Sequence, residues 1–231
     1  MLHSLNHLLG SSVKCLNDEF GSLYNAYISE KTWRVGYFVI QTGSWLHDRR
    51  VLVAPAALRT PFWSDGLVYV DLTRQQILDS PPIDAAKPVS RQQEELMNAY
   101  FGWPAYWSPT DLPPPELARD EGPSTLRSLR ELQGYTLAGS DGEVGTVVDL
   151  IGDEPCWDVP YLVIETGGLL SSKRFCPSRF VTEINWAERL VRVDLLAASV
   201  EESPDPPSSE LPDALFAADV EKHYGSRGSR T

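Results

Sequence analysis

Short apolar segments separated by turn residues recur along this chain, and their periodicity predicts β-strands. GEVGTVVDLIG at 142–152 alternates apolar with small or polar residues, and the Ser-Asp-Gly at 140–142 indicates a tight hairpin. YFVIQT at 37–42 and YLVIET at 161–166 are continuous β-branched and aromatic runs, typical of strands that are covered on both faces. Five or six such segments in about 75 residues predict a small closed or half-closed antiparallel barrel.

Helices are predicted only towards the end of each half of the chain. TRQQILDS at 73–80 and SRQQEELMNAYFG at 90–102 both open with Ser/Thr-x-x-Gln, the capping-box signature of a helix N-terminus. Gly102 marks the predicted end of the second helix. The apolar positions at helical spacing are Leu96, Met97, Tyr100 and Phe101 in that helix, and Leu215, Phe216, Val220 and Tyr224 in LPDALFAADVEKHYG at 211–225.

The same pattern is written twice, so the chain contains an internal repeat of domain size. WRVGYFVIQTG at 33–43 returns as WDVPYLVIETG at 157–167, with seven of eleven letters unchanged. We align the copies at an offset of 124 up to Gly167. We then drop two residues in the following hairpin, which changes the offset to 122, and regain one residue before LVYVDL, from which the offset is 123. The period is too long for a solenoid unit and fits a small domain.

The repeat predicts a mainly β fold class: two tandem small antiparallel β-barrels, each followed by short α-helices. Proline-rich sequence between the copies predicts a semi-extended linker. The predicted divisions are the first copy with its C-terminal helices at 1–103, the linker at 104–125, the second copy with its C-terminal helix at 126–225, and a disordered tail at 226–231.

Charge and composition narrow the classes of partner. The net charge of −12 is concentrated in the second half of the chain, with −3 over residues 1–120 (10 basic, 13 acidic) and −9 over 121–231 (10 basic, 19 acidic). Because nucleic-acid affinity comes largely from Lys and Arg neutralising phosphates, we expect no nucleic-acid partner. With no apolar run of membrane-spanning length and no secretory signal pattern, we expect a soluble cytoplasmic protein without direct membrane insertion.

The residues with catalytic or ligating chemistry favour structural roles. His3 and His7 are spaced for one helical face but have no adjacent ligand, and neither His47 nor His223 has a counterpart histidine in the other copy. The three cysteines form no Cys-x-x-Cys pair and are expected to be reduced. We therefore expect no metal, no cofactor and no enzyme activity.

Two further features favour turn and capping roles. GSDGEVG at 139–145 leads from strand to strand, whereas a phosphate-binding loop leads into a helix. The recurring acid pairs Glu19/Glu143 and Asp71/Asp194 come one per copy, so they are interpreted as turn and strand-end residues rather than as a catalytic pair.

The order and spacing of DGEVGTVVDLI, YLVIETG, VLVAP and VYVDLTRQQILDSPPID resemble the PRC-barrel family, the small β-barrel named after the photosynthetic reaction centre, in a tandem two-copy bacterial form. The family includes the reaction-centre H subunit and the C-terminal domain of a ribosome maturation factor. Some members scaffold membrane reaction centres, and others bind a ribosomal protein. The resemblance therefore implies a PRC-type barrel fold and a binding or scaffolding role, without chemistry.

We accordingly expect a soluble, non-catalytic interaction or scaffolding module with a protein partner of unknown identity. Homo-oligomerisation stays open. The alternative functions are a small-molecule binder with a pocket between the barrels, a hydrolase, and a membrane-complex assembly factor related to the H subunit. The candidate docking site is YFGWPAYW at 100–107, in which apolar rings gather in a proline-bounded stretch that is expected to dock on the protein's own barrels. Its candidate residues are Tyr100, Phe101, Trp103, Pro104, Tyr106 and Trp107.

Overall fold

The computed structural model is mainly β, with two seven-stranded sheets and a few short helices, as the sequence predicts at that level. It describes residues 1–16, 19–43, 49–64, 66–81, 91–104, 125–154, 156–167, 171–206 and 214–225, with the backbone alone for 60–64 and 91–93. Four sequence predictions lie outside these ranges: His47, the Ser90 cap, nearly all of the linker, and the tail. No helix within them is long and apolar enough to cross a membrane.

The two sequence copies fold into the same succession of elements. The first copy forms β1 (Leu2–Ser4), α1 (Leu5–Leu8), β2 (Ser12–Lys14), β3 (Glu19–Ser29), β4 (Val35–Thr42), β5 (Arg50–Val53), β6 (Leu58–Ser64), β7 (Leu67–Val70), α2 (Arg74–Leu78) and α3 (Arg91–Phe101). The second forms β8 (Leu126–Ser128), α4 (Leu129–Leu132), β9 (Thr136–Ala138), β10 (Glu143–Asp153), β11 (Asp158–Thr166), β12 (Lys173–Pro177), β13 (Val181–Asn185), β14 (Leu190–Val193), α5 (Ala197–Glu201) and α6 (Ala214–Gly225).

Both sheets have the same strand order. Six strands lie in the order β5-β4-β3-β2-β7-β6 in one sheet and β12-β11-β10-β9-β14-β13 in the other. Neighbouring strands along these paths are antiparallel, except that β2 pairs with β7 and β9 with β14 in parallel. The long strands β3 and β10 carry the seventh strand of their sheets on the residues beyond their pairing with β2 and β9.

The seventh strand comes from the other copy in both sheets. β1 pairs with β10 of the second copy, and β8 pairs with β3 of the first copy. The compact units follow this exchange: one is Leu8–Ser128, called the first unit below, and the other is Met1–His7 with Leu129–Thr231, called the second unit. The chain therefore passes between units at 7–8 and again at 128–129.

Glycine is required where the long strand of each sheet approaches its neighbour. A Cβ atom added at Gly21 would lie 2.1 Å from the carbonyl oxygen of Gln41, and one at Gly145 would lie 2.2 Å from that of Glu165. No side chain fits at such distances from a backbone oxygen. This explains why the repeat keeps Gly at both positions.

The prediction that helices lie only towards the end of each half is wrong, because the four-residue helices α1 and α4 lie near the start of each copy. The predicted start of α2 and end of α3 agree with the structure. Thr73 caps α2 and forms a full capping box with Gln76, and Gly102 follows α3 with a φ of 70°. The predicted apolar faces are only partly buried, because Met97 is buried in α3 but Leu96 and Tyr100 are exposed. In α6 the buried residues are Phe216, Val220 and Tyr224, one turn apart.

The predicted offset of 122 after Gly167 is wrong by one residue. Val53 lies opposite Phe38 in β4, and Cys176 lies opposite Leu162 in β11, which places β5 and β12 at an offset of 123. Pro55 begins its 3-10 turn, whereas Pro177 precedes the matching turn. One residue is therefore dropped in the hairpin and none is regained, so the matching prolines misled the alignment.

Candidate functional site

The C-terminal end of α3 carries the described part of the predicted aromatic site. Phe101 and Trp103 stack with ring centroids 4.1 Å apart, and Tyr100 meets Phe101 edge-on at 4.7 Å. Phe101 and Trp103 are partly buried against a core cluster, whereas Pro104 is exposed. The cluster comprises Tyr27, Tyr37, Val39, Leu52, Ala54, Met97 and Leu126. Tyr106 and Trp107 lie outside the described residues, so the structure assembles part of the predicted site on its own unit.

The last helix of each copy, α3 in the first and α6 in the second, is anchored by a hydrogen bond from an equivalent tyrosine. Tyr37 donates to the Asn98 side chain at 2.8 Å, and Tyr161 donates to Glu221 at 2.9 Å. Arg179 adds an ion pair to Glu221 at 2.8 Å. These contacts join the last helix of each copy to β4 in one sheet and to β11 in the other, and so they explain why the repeat keeps a tyrosine there.

Three exposed large apolar side chains lie on α2 and α3 of the first unit, and we call them together the α2–α3 face. It consists of Leu78, Leu96 and Tyr100, which are 37%, 54% and 42% exposed. Tyr100 is tied to α2 by a hydrogen bond from its hydroxyl to the carbonyl oxygen of Gln76 at 3.1 Å. This bond fixes the position of Tyr100 within its own unit, while the three apolar side chains are exposed to water.

The second unit carries polar residues at the equivalent positions. At the offset of 123, the counterparts of Leu78, Leu96 and Tyr100 are Glu201, Asp219 and His223. His223 keeps the tie between the two helices, since its Nε2 lies 2.8 Å from the carbonyl oxygen of Ser199, the counterpart of Gln76. The scaffold is the same in both units, and only the first exposes an apolar surface at these three positions.

The exchanged strand β1 is held in a slot along β10. Its backbone ladder pairs Leu2 with Asp153 and Ser4 with Ile151. Ser4 donates to Asp149 Oδ2 at 2.5 Å, and the backbone N–H of Asn6 donates to Asp149 Oδ1 at 2.9 Å. One carboxylate thus binds both the strand and the helix that follows it.

A buried histidine completes the contacts of this slot. His3 Nε2 lies 3.1 Å from Glu154 Oε2, and the imidazole stacks on Trp157 with ring centroids 5.8 Å apart. Gly152 leaves room for this packing, because a Cβ there would lie 2.9 Å from the Leu5 side chain and 3.4 Å from the Trp157 ring. His3 therefore fastens the exchanged strand through its contact with Glu154 and its ring stack on Trp157.

The slot along β3 has the same plan with different residues. Arg127 of β8 forms two hydrogen bonds to Glu30, both at 2.8 Å. Asn25 donates to Ser128 Oγ at 2.7 Å. At the offset of 124, Arg127 and Glu30 correspond to His3 and Glu154, and Ser128 and Asn25 correspond to Ser4 and Asp149. In both slots, therefore, a glutamate contacts a basic residue of the exchanged strand, and a polar side chain forms a hydrogen bond with a serine of that strand.

Burial explains the shifted pKa values of three side chains. Desolvation raises the pKa of Asp149, although hydrogen bonds from Ser4, Asn6 and Leu150 oppose the shift. Desolvation also raises the pKa of the Cys176 thiol to about 12. The pKa of Tyr161 is raised by burial and by the neighbouring Glu221. Each shift favours the neutral form inside the fold.

The remaining sequence candidates have structural contacts. Asp71 accepts two hydrogen bonds from Arg59, at 2.9 and 2.8 Å, and does not cap α2. In the loop at 139–145, Asp141 accepts a hydrogen bond from the Ala197 N–H at 2.7 Å, so the loop caps α5 with its own carboxylate. Within the described ranges, no group of three or more His, Cys, Asp or Glu residues is arranged to hold a metal ion.

Sequence reasoning did not identify the slots, although a signal for them exists. Ser4/Ser128 and Glu30/Glu154 recur at an offset of 124, as Gly21 and Gly145 do. Compared with known proteins, the chain matches no protein-family model and no curated protein. The function must therefore be argued from the residues of the two units themselves.

Proposed function

We propose that this protein is a non-catalytic interaction or scaffolding module made of two PRC-barrel-type units, and that its protein partner binds the α2–α3 face. The proposal depends on one observation: Leu78, Leu96 and Tyr100 are exposed in the first unit where the second unit has Glu201, Asp219 and His223. Three large apolar side chains exposed on two helices that the Tyr100 hydrogen bond joins favour burial by a partner, at about 25 cal/mol per Å² of apolar area removed from water.

Two of the three shifted pKa values favour a scaffolding role over catalysis, and the third, that of Asp149, belongs to a carboxyl group that holds β1 in its slot. Catalytic acids and bases are tuned towards the operating pH, where they can exchange protons. Cys176 and Tyr161 are shifted in the opposite sense, away from neutrality, and the cause is burial in both cases. Tyr161 uses its hydroxyl to anchor α6, which is a structural task.

The matched test replaces the face by its counterpart from the second unit. The full chain carrying Leu78→Glu, Leu96→Asp and Tyr100→His is compared with the unchanged chain as bait in an affinity capture at physiological salt. Leu215→Asp serves as the control, because Leu215 is 78% exposed on α6 of the other unit. Leu78→Glu, Leu96→Asp and Leu215→Asp are surface substitutions that each change stability by about 0.5 kcal/mol or less, and a histidine at position 100 can keep the hydrogen bond to α2 as His223 does in the second unit. Thermal unfolding of the three baits should therefore show that all are folded at the temperature of the capture.

We expect the partner to be captured by the unchanged chain and by the Leu215→Asp control, and to be lost from the triple variant. Equal recovery of the same proteins by all three baits would contradict the assignment of the face. Turnover of a metabolite by the purified chain would contradict the non-catalytic part of the proposal.

A further inference from the structure

We propose that the β10 slot also accepts residues 1–7 of a second copy of this chain, so that molecules exchange this segment and form dimers. The proposal does not depend on the proposed function, because the slot and the α2–α3 face share no residue.

The contacts needed for such exchange already exist within one molecule. β1 belongs to the first copy by sequence and packs in the second unit. Exchanging an identical element between molecules is a low-energy route to dimers, because the same contacts are made in trans as in cis. Here the chain makes that exchange internally, twice, with β1 in the β10 slot and β8 in the β3 slot.

The attachment of the segment is specific but small. The ladder between β1 and β10 covers three residues. Beyond it, the segment is held by contacts of Met1 with Asp153 and Glu154, of Ser4 and Asn6 with Asp149, and of His3 with Glu154 and Trp157, and by the buried Leu5 side chain. A segment of this size can leave its slot by local opening without unfolding the whole unit. The vacated slot then offers the same hydrogen-bond acceptors to the same segment of another molecule.

The chain concentration determines how often residues 1–7 bind the slot of their own molecule and how often they bind that of a second molecule. A short connection gives a tethered segment an effective concentration on the order of 1 mM, so exchange in trans should be a minority state at micromolar chain concentration. For a dimer with the same contacts, the exchanged fraction should rise about tenfold between about 10 and about 100 µM chain.

A disulfide trap tests the exchange with the full-length chain. One variant carries Leu2→Cys and a second, distinguishable by mass, carries Asp153→Cys, since these residues lie opposite each other in the ladder. Directly paired antiparallel residues lie about 4.5 to 5.5 Å apart, within disulfide reach. Both variants also carry Cys156→Ser, because Cys156 is exposed, whereas Cys15 and Cys176 are buried.

Two controls make the outcome decisive. The double variant Leu2→Cys with Asp153→Cys in one chain should close an intramolecular bridge, which shows that the geometry permits the bond. A mixture of Leu2→Cys with Glu183→Cys, an exposed position on β13, measures random collision. We expect the slot pair to give a covalent heterodimer well above this background, with the tenfold concentration dependence. Heterodimer at the collision level, alongside a closed intramolecular bridge, would overturn the proposal.

Discussion

Replacing Asp149 by asparagine gives the second unit the residue that the first unit carries at the equivalent position, Asn25. The first unit shows how an asparagine fits at this position. Asn25 Oδ1 accepts a hydrogen bond from the Ala26 N–H at 2.9 Å, and Asn25 Nδ2 donates one to Ser128 Oγ at 2.7 Å. Asp149 makes the corresponding contacts with the Leu150 N–H at 2.7 Å and with Ser4 Oγ. The variant can therefore keep both hydrogen bonds with the serine hydroxyl reversed.

The change removes a charge that burial disfavours. Because the pKa of Asp149 is raised above its ordinary value of 3.8, the folded protein holds a proton at pH values where the unfolded chain has lost it. Stability from this residue is thus highest at low pH and falls as the pH rises from about 3.8 through the folded-state pKa. For each pH unit by which the folded-state pKa of Asp149 lies above 3.8, the wild-type free energy of unfolding at neutral pH is lower by about 1.4 kcal/mol than that of a chain with a neutral residue there.

The asparagine variant also loses the charge-assisted hydrogen bonds that the Asp149 carboxylate accepts, and this loss lowers its free energy of unfolding. A hydrogen bond to a charged group contributes about 1.5 to 3 kcal/mol and a neutral one about 0.5 to 1.5 kcal/mol. The raised pKa already includes these opposing contributions, since burial is its largest cause and the hydrogen bonds lower it. We therefore expect Asp149→Asn to be at least as stable as the wild type at pH 7, and their difference to shrink towards pH 4.

Urea denaturation of both chains at intervals between pH 4 and pH 8, with the slope m checked for equality, measures this difference. Asn25→Asp is the reciprocal control, and it should lower stability at pH 7 by introducing the buried charge into the first unit. If Asp149→Asn is less stable than the wild type by more than about 1 kcal/mol at pH 7, the carboxylate hydrogen bonds outweigh desolvation and the reasoning is wrong.

Two other substitutions follow from the contacts of the second unit. Gly145→Ala should lower the free energy of unfolding by about 3 kcal/mol or more, because the new methyl group meets the Glu165 carbonyl oxygen at 2.2 Å; Gly142→Ala, with nothing within 4 Å, is the control in the same denaturation series. Tyr161→Phe should lose about 1 kcal/mol at pH 7 with its hydrogen bond to Glu221. Since the folded-state pKa of Tyr161 is raised, wild-type stability should also fall as the pH rises above about 10, and this extra slope should be absent from the phenylalanine variant. A fall of equal steepness in both proteins would contradict the buried-hydroxyl explanation.

Local sequence signals predicted the elements well and their partners poorly. The capping box at Thr73 and the stop at Gly102 depend on a few neighbouring residues, and both are confirmed. The pairing of β1 with β10 depends on contacts between residues about 150 positions apart. Each copy offers a similar slot, so the repeat itself gives the strand two nearly equivalent partners, and the sequence pattern alone does not choose between them.

For the candidate site, too, the sequence predicted the helix but not which of its residues contact the sheet. Helical spacing places Leu96 and Tyr100 on α3 but does not say which side of the helix the sheet covers. Met97 and Asn98, between them, are the residues that turn inward. A comparison of the two copies along α2 and α3 would have found the α2–α3 face from the sequence, because Leu78, Leu96 and Tyr100 face polar counterparts in the alignment, whereas the inward Met97 is matched by the apolar Val220.

The two slots also show how the copies diverged without losing the pairing. Gly152 in the second unit corresponds to Ile28 in the first, and Trp157 corresponds to Trp33. With glycine, the tryptophan is buried at 2% exposure beneath His3; with isoleucine, which is itself 1% exposed, the tryptophan is only partly buried. Both tryptophans keep the same left-handed backbone, with φ of 50° and 57°, so the turn was retained while the volume beside it was filled differently. Close packing requires that such a loss of volume at one position be offset at a neighbour. The exchanged strand is therefore fitted to each slot by compensating side chains, which explains how two diverging copies can keep one mode of pairing.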